Sequence, residues 1–393
     1  MLLDKLKKIV LFILVITIPL ARIFNLNSYA IALFTILFLF SPRKKFIPPL
    51  KPITFLFCAY FIVLSLNVLV VAQPHAASIL LKYIPLVLIP ISLLFVNYQK
   101  EVLEVFVYSI VFSSLTCIVH ATIKSKGYIF YYHNPTELLD IQINYLGIFI
   151  CFALAILYHE ILAANVAKLK HYLFIPILFF SLAVLFNRTA IIASLIITLF
   201  FVVSLFKRYR NTKFLIGFII FFASTTTWIL SRPIIQSKFE ELVHLDYKSV
   251  SNYNNGVSSR LLSWECSWDY ITNGGFFGHG TNNTKALLKV CYEQKIGADT
   301  IQVSKGYNAH NQFLQTALGH GYLGLMVLLA IYGHILFVCI RQRDFLLLLY
   351  FVIILIFGMT ESFMVRQWGI AFFTFFTPFL LSRWDPQKKQ ASL

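Results

Sequence analysis

Long apolar runs separated by short polar breaks organise most of this chain. A helix needs about 20 mainly apolar residues to cross a bilayer. Runs near that length recur from end to end and predict about twelve spans. They cover residues 9–24, 29–40, 53–71, 77–96, 102–121, 141–162, 172–187, 189–206, 214–230, 311–340, 345–360 and 367–381. Basic residues concentrate in alternate breaks. Lys5, Lys7 and Lys8 precede the first span, and Arg43, Lys44, Lys45 and Lys51 follow the second. Lys168 and Lys170 follow the sixth, and Lys207, Arg208, Arg210 and Lys213 the eighth. Arg341 and Arg343 follow the tenth, and Arg383, Lys388 and Lys389 lie beyond the twelfth. With twelve spans all these clusters share one side, which the positive-inside rule makes cytoplasmic, along with both termini.

Composition supports the same reading. Hydrophobic residues make up 59% of the 393 and charged ones only 12%, against about a quarter charged in a soluble domain. Mean hydropathy is +0.78. A soluble fold of this size has no place to hide so much apolar surface, and a disordered chain is poor in it. The net charge of +17 is a sidedness signal rather than a nucleic-acid footprint, so no nucleic acid is expected as partner. The first run is not expected to be a removable signal peptide, because no A-x-A site follows it and another apolar run comes at once.

One break is different. Residues 231–310 form a mixed polar stretch of 80 residues, far longer than an ordinary connection. By parity it lies outside the cytoplasm. Trp264, Trp268, Gly274, Gly275, Gly278 and Gly280 suit a folded cap with short helices. The chain thus divides into nine spans (1–230), a large loop (231–310), and three spans with a tail (311–393). Cys266 and Cys291 both fall in the loop. An oxidising periplasm would permit a disulfide there, although sequence alone does not bring the two together.

Four polar constellations carry candidate chemistry, since ionisable groups at or near membrane depth are functional candidates. Arg188 lies in Asn187-Arg188-Thr189 between two apolar runs; it is either a snorkelling turn residue or a fork for an anionic substrate. Arg260 follows Ser258-Ser259, either of which suits a helix cap, and the plainer alternative is an arginine on a solvated face. His310, in Tyr307-Asn308-Ala309-His310-Asn311-Gln312, sits where the loop re-enters the membrane. It suits a general base or a hydrogen-bond donor, or a structural histidine. Glu361 lies in Thr360-Glu361-Ser362 with Arg366-Gln367 just beyond, either as an ion pair closing the turn or as a polar wall of the same site. No nucleotide-binding glycine motif, metal-ligand cluster or serine-nucleophile elbow is present.

Taken in order, these pieces resemble the O-antigen ligases and their polymerase relatives. Asn187-Arg188-Thr189-Ala190 is similar to that family's "S-R-small" segment. Ser259-Arg260-Leu261-Leu262-Ser263-Trp264 with Gly278-His279-Gly280 resembles its loop segment. Asn308-Ala309-His310-Asn311-Gln312-Phe313-Leu314 with Gly321-Tyr322-Leu323-Gly324-Leu325 resembles its "H-N-x-(F/L)-L…G-x-x-G-L" signature, and Thr360-Glu361-Ser362 the segment that ends it. The likeness runs over residues 141–381. One departure is Asp140-Ile141-Gln142-Ile143-Asn144-Tyr145, which stands where many ligases carry a histidine near a tyrosine.

The resemblance implies an all-α polytopic protein of the bacterial inner membrane, like the C-type glycosyltransferases, with its active site facing the periplasm. It implies transfer of a glycan from undecaprenyl pyrophosphate to lipid A–core, with inversion and without a metal or other cofactor. Arg188 and Arg260 would stabilise the pyrophosphate, with Asn311 and Glu361 contributing to substrate binding. Arg260 and His310 would be the catalytic residues, with His310 acting on the acceptor hydroxyl. A polymerase extending another lipid-linked glycan, an oligosaccharyltransferase acting on protein, and a secondary transporter stay open as alternatives. The gathering of polar candidates in one late loop and on one face favours an enzyme over the transporter.

Overall fold

The computed structural model describes residues 2–20, 26–39, 47–71, 76–132, 134–164, 168–209 and 256–383. Each predicted span within them corresponds to a helix or a pair of helices; the span at 214–230 lies outside the described residues. The N-terminal part contains α1 (Leu2–Thr17), α2 (Leu26–Leu39), α3 (Lys51–Val70), α4 (Ala76–Tyr83), α5 (Pro85–Leu93), α6 (Lys100–Lys124), α7 (Ile143–Ala164), α8 (Leu169–Leu185) and α9 (Arg188–Tyr209). After the gap come α10 (Gly256–Gly274), α11 (Thr284–Ile296), α12 (Ile301–Lys305), α13 (Gln312–Gln342), α14 (Phe345–Thr360) and α15 (Gln367–Leu381). Among the described residues there is no strand. Among the described residues six helical stretches are long and apolar enough to cross a membrane, and α2, α8, α14 and α15 are shorter apolar helices. The chain is a polytopic helical membrane protein.

From Leu146 to Leu157 helix α7 is apolar on every face, and 83% of its most apolar stretch is buried. A helix apolar all round belongs at the centre of a bundle, and α6, α8, α9 and α14 surround it. Phe106, Phe149, Phe152, Tyr350, Phe372 and Phe376 interlock there, with neighbouring ring centroids 4.7–6.3 Å apart. In lipid the hydrophobic effect does not distinguish helix from solvent, so such close packing holds the helices together. Phe55, Leu69, Phe112, Ile123, Leu199 and Ile340 point outward and are 62–74% exposed, as a lipid-facing surface requires.

The described part of the long loop is folded. Helices α10, α11 and α12 enclose a small core of Leu262, Ile271, Leu288, Tyr292 and Val303 that continues onto Ala317 and Leu318 of α13. Cys266 and Cys291 are disulfide-bonded within it, with Cα atoms 5.9 Å apart. The bond links positions 25 residues apart, which corresponds to about 3.5 kcal/mol of loop-closure entropy. Reduction, or Cys291→Ser, should therefore loosen the cap before the bundle. Limited proteolysis across temperature should show cleavage within 256–310 at a lower temperature in the variant, with the membrane part intact.

The cap is seated by a glycine joint. At Gly321 α13 is kinked, with φ 69° and ψ −169°, a backbone region open mainly to glycine. The segment 276–280 packs against the kink so closely that a Cβ on Gly321 would collide with the Phe276 carbonyl, and one on Gly278 with the Gly321 amide. The amides of His279 and Gly280 donate to the carbonyls of Leu318 and Gly319, each at 2.9 Å. Gly278 of the loop motif and Gly321 of the re-entry motif are thus required by this close backbone approach.

Candidate functional site

The site begins where the cap chain turns back into α13. Asn311 caps that helix: its Oδ1 accepts from the amides of Phe313 (2.9 Å) and Leu314 (3.1 Å), as N-cap asparagines do. The preceding residue, His310, has φ 44°, a left-handed conformation that persists for a side-chain-bearing residue only when its surroundings fix it. Here Asn308 Oδ1 accepts from the His310 amide at 3.0 Å. Trp264 Nε1 of α10 donates to the His310 carbonyl at 3.4 Å. Gln315 Oε1 accepts from the Ala309 amide at 3.0 Å.

Glu361 arrives from the other direction, immediately after α14. Its backbone is pinned next to Asn311: the Asn311 amide donates to Ser362 Oγ (3.2 Å), Asn311 Nδ2 donates to the Met359 carbonyl (3.1 Å), and the Met364 amide donates to Gln312 Oε1 (2.8 Å). The Glu361 carboxylate is buried and holds two partners. Arg260 Nη2 of α10 donates to Oε1 at 2.5 Å, and His310 Nδ1 lies 3.2 Å from Oε2. Burial by itself would raise the carboxyl pKa, but the His310 hydrogen bond and the Arg260 charge outweigh it and hold the group below its usual value. Glu361 is therefore an anion at neutral pH. An anionic carboxylate has no proton to give, so in the bond between them His310 Nδ1 is the donor.

His310 and Glu361 line an open cavity of about 1020 Å³, at the upper limit of the usual volumes of ligand sites. Its walls come from α4, the 134–148 segment, α11, the end of α12 and the start of α15. Tyr145 shapes one side, donating to the Phe363 carbonyl (3.0 Å) and standing edge-on to Trp368 with centroids 5.2 Å apart. Four cations face the cavity: Lys82, Lys285, Lys305 and Arg366.

Of the sequence-predicted residues, the fold gathers His310, Arg260, Asn311 and Glu361. Arg260 stands behind Glu361 and does not line the cavity. Arg188 opens α9 and does not line it either; its neighbour Asn187 reaches the wall by donating to Asn144 at 2.8 Å. Of the two readings of Glu361, the ion pair with Arg366 closing the turn is not formed: Glu361 pairs with Arg260, 101 residues away, and both Glu361 and Arg366 line the cavity. The atypical 140–145 stretch supplies a wall of the cavity throughout.

Sequence reasoning missed Lys82, Lys285 and Lys305. Lys82 did carry a signal, as the one charge inside an otherwise apolar predicted span. The two lysines of the cap carried none, because loop lysines are commonplace and only the fold turns these toward one another. Among the described residues no three His, Cys, Asp or Glu side chains converge as a metal site, and His133 lies outside those residues.

Fold and site together define a multi-pass membrane protein whose folded cap completes a His–carboxylate site over the ends of its helices. Residues 173–329 match the family described as O-antigen ligase, in agreement with the resemblance read from the motifs. The match takes in Arg188, Arg260 and His310 and stops short of Glu361. No curated protein matches this chain.

Proposed function

We propose that this protein transfers a glycan from an undecaprenyl-pyrophosphate carrier to a sugar hydroxyl of lipid A–core, as an O-antigen ligase of the inner membrane working at its periplasmic face. The observation that carries the reading is the bond between His310 Nδ1 and Glu361 Oε2, 3.2 Å long, at the wall of a cavity large enough for sugar. It leaves Nε2 positioned as a general base.

In the step proposed, an acceptor hydroxyl oxygen attacks the anomeric carbon. Its proton passes to His310 Nε2 as the new C–O bond forms. The bond from the anomeric carbon to the pyrophosphate oxygen breaks, and its electron pair leaves with the pyrophosphate. Attack opposite the leaving group inverts the anomeric centre. Glu361 offsets the positive charge that builds on the imidazole, and Arg260 fixes the carboxylate through one arm of its fork. The cap limits the access of water that would compete as acceptor. The chemistry asks nothing of a metal, so activity in chelator should match activity without it.

The test is a gel of surface lipopolysaccharide from a strain deleted for the protein. Loss of long glycan from lipid A–core, with glycan accumulating on the lipid carrier and restored by the wild-type chain, is the expected result. A lipid A–core carrying a single repeat unit would instead make the protein a polymerase. Normal amounts in both pools would overturn glycan transfer to lipid and turn attention to protein acceptors or transport.

A further inference from the structure

Two helices measure the depth at which the cap meets the membrane. A hydrocarbon layer about 30 Å thick takes about 20 helical residues at a rise of about 1.5 Å each. On α13 the 20 residues from Tyr322 to Arg341 begin directly after the kink at Gly321 and end at a basic pair, Arg341 and Arg343. No charged or amide residue lies between the kink and His334, whereas Gln312, Gln315, Thr316 and His320 precede it. Helix α3, Lys51–Val70, is also 20 residues long. Its Asn67, less than one turn from the end opposite Lys51, donates to the Gly319 carbonyl at 3.0 Å. The two rulers therefore coincide. The kink of α13 and the last turn of α3 both stand at the cap-side edge of the hydrocarbon layer.

The cap turn that packs on the kink lies at that same level. The Phe276 carbonyl accepts from the Leu323 amide at 3.3 Å, and the Phe277 carbonyl accepts from Asn67 Nδ2. The Gly278 amide donates to the Gly274 carbonyl at 3.0 Å, and those of His279 and Gly280 are bonded to α13. In water a loop needs no such provision, because water serves its backbone. In lipid irregular backbone persists only where protein groups pair it. Asn67 is fully buried in an otherwise apolar stretch of α3, and its amide nitrogen serves carbonyls of two other segments.

The side chains of the turn agree with its backbone. Phe276 is 52% exposed, although it is apolar and belongs to a polar loop. Its carbonyl partner Leu323 follows Tyr322, which with Met326 and Leu329 forms an outward face of α13 at helical spacing. Leu69 and Val70 turn outward from the last turn of α3. The Phe277 ring stands edge-on behind Phe276, with centroids 5.4 Å apart. Phe276 thus continues a lipid-facing surface that two membrane helices have already begun.

We infer that the Phe276–Phe277 turn is a lipid anchor of the cap. Phe276 inserts among the acyl chains at the edge of the bilayer, and Tyr322 beside it marks the headgroup level, where tyrosines concentrate. The partner is the acyl-chain region of bilayer lipid. The glycine joint lets the two backbones meet, and the anchor keeps the cap from lifting away from that joint. It does not depend on which group the protein transfers.

The experiment is fluorescence quenching of a bimane label on the purified full chain, in phosphatidylcholine vesicles with bromine near the glycerol end of each acyl chain. Unbrominated vesicles are the reference. The background is Cys58→Ser, because the other free cysteines are buried. Labels are placed by Phe276→Cys, by Met326→Cys on the lipid-facing side of α13, and by Lys289→Cys on the exposed side of α11. The labels at 276 and 326 are expected to lose most of their emission in brominated lipid, and the label at 289 none. Undiminished emission at 276 with quenching at 326 overturns the anchor. Equal quenching at 276 and 289 also overturns it, because the whole cap would then lie on lipid. If Phe276→Cys does not fold, Phe276→Trp replaces it: a gain in bromine-quenched tryptophan emission over wild type supports the anchor, and no gain overturns it. A second readout is proteolysis in unbrominated vesicles. Phe276→Glu, which sets a charge at the hydrocarbon edge, should expose residues 256–310 to cleavage, while Phe276→Leu stays as resistant as wild type. Equal resistance of both variants overturns the anchor.

Discussion

His310→Ala should lower glycan transfer by about a hundred- to ten-thousand-fold, the usual contribution of a positioned general base. His310 lines the cavity with its Nδ1 3.2 Å from Glu361 Oε2, and the proposed step uses its Nε2 to accept the hydroxyl proton. Alanine removes the imidazole on which the proposed step depends. The backbone bonds from Asn308 and Trp264 engage the main chain of residue 310 and persist in the variant. The left-handed φ of 44° is a separate matter, because alanine tolerates it less well than glycine. His310→Gly relieves that strain while losing the imidazole, so both variants should be equally inactive in the lipopolysaccharide gel and present at wild-type level in the membrane. Transfer within tenfold of wild type by either would remove His310 as base.

Glu361→Gln is expected to be nearly as damaging, for a different reason. The carboxylate is buried and joins Arg260 to His310. An amide offers neutral oxygen to one partner and an N–H to the other, so the imidazole loses its orientation and the compensation for its charge. Loss of the carboxylate in an analogous histidine–carboxylate pair lowers turnover by about ten-thousand-fold. Arg260 also loses its counter-charge, which destabilises the fold by less than in a fully buried pair because its guanidinium is partly exposed. The pH dependence separates the two effects. The folded carboxyl titrates below its unfolded value, so its contribution to stability is complete above the ordinary carboxylate range. That contribution is lost as pH falls through the lowered folded value. Thermal unfolding of the purified protein between neutral and acid pH should therefore show a steeper acid loss in wild type than in Glu361→Gln. Equal slopes would mean that Glu361 does not bear the charge assigned to it.

The motif residues illustrate how far a sequence alone reaches. Asn311, His310 and Glu361 were all visible as polar groups at the mouths of apolar runs, and Arg260 as an arginine at the start of a cap helix. Their roles within the site were less visible. Arg260 and Glu361 are 101 residues apart, and nothing local distinguishes that pairing from one between Glu361 and the nearer Arg366. Only the seating of α10 against the turn after α14 chooses between them. The reason is steric: the glycine joint at Gly278 and Gly321 sets where the cap sits, and the cap sets where Arg260 reaches.

By itself, then, the sequence determined what depends on composition along the chain. Apolar length fixes which segments are membrane helices, because lipid accepts no unpaired backbone. The family resemblance likewise rests on local runs of residues that need no neighbours to be read. The tertiary structure decided what depends on distance between elements. It joined Cys266 to Cys291, gave Glu361 to Arg260, and turned Lys82, Lys285 and Arg366 toward one cavity. Coulomb and hydrogen-bond energies act over a few ångströms, and separation along a chain says little about separation in space until helices have packed.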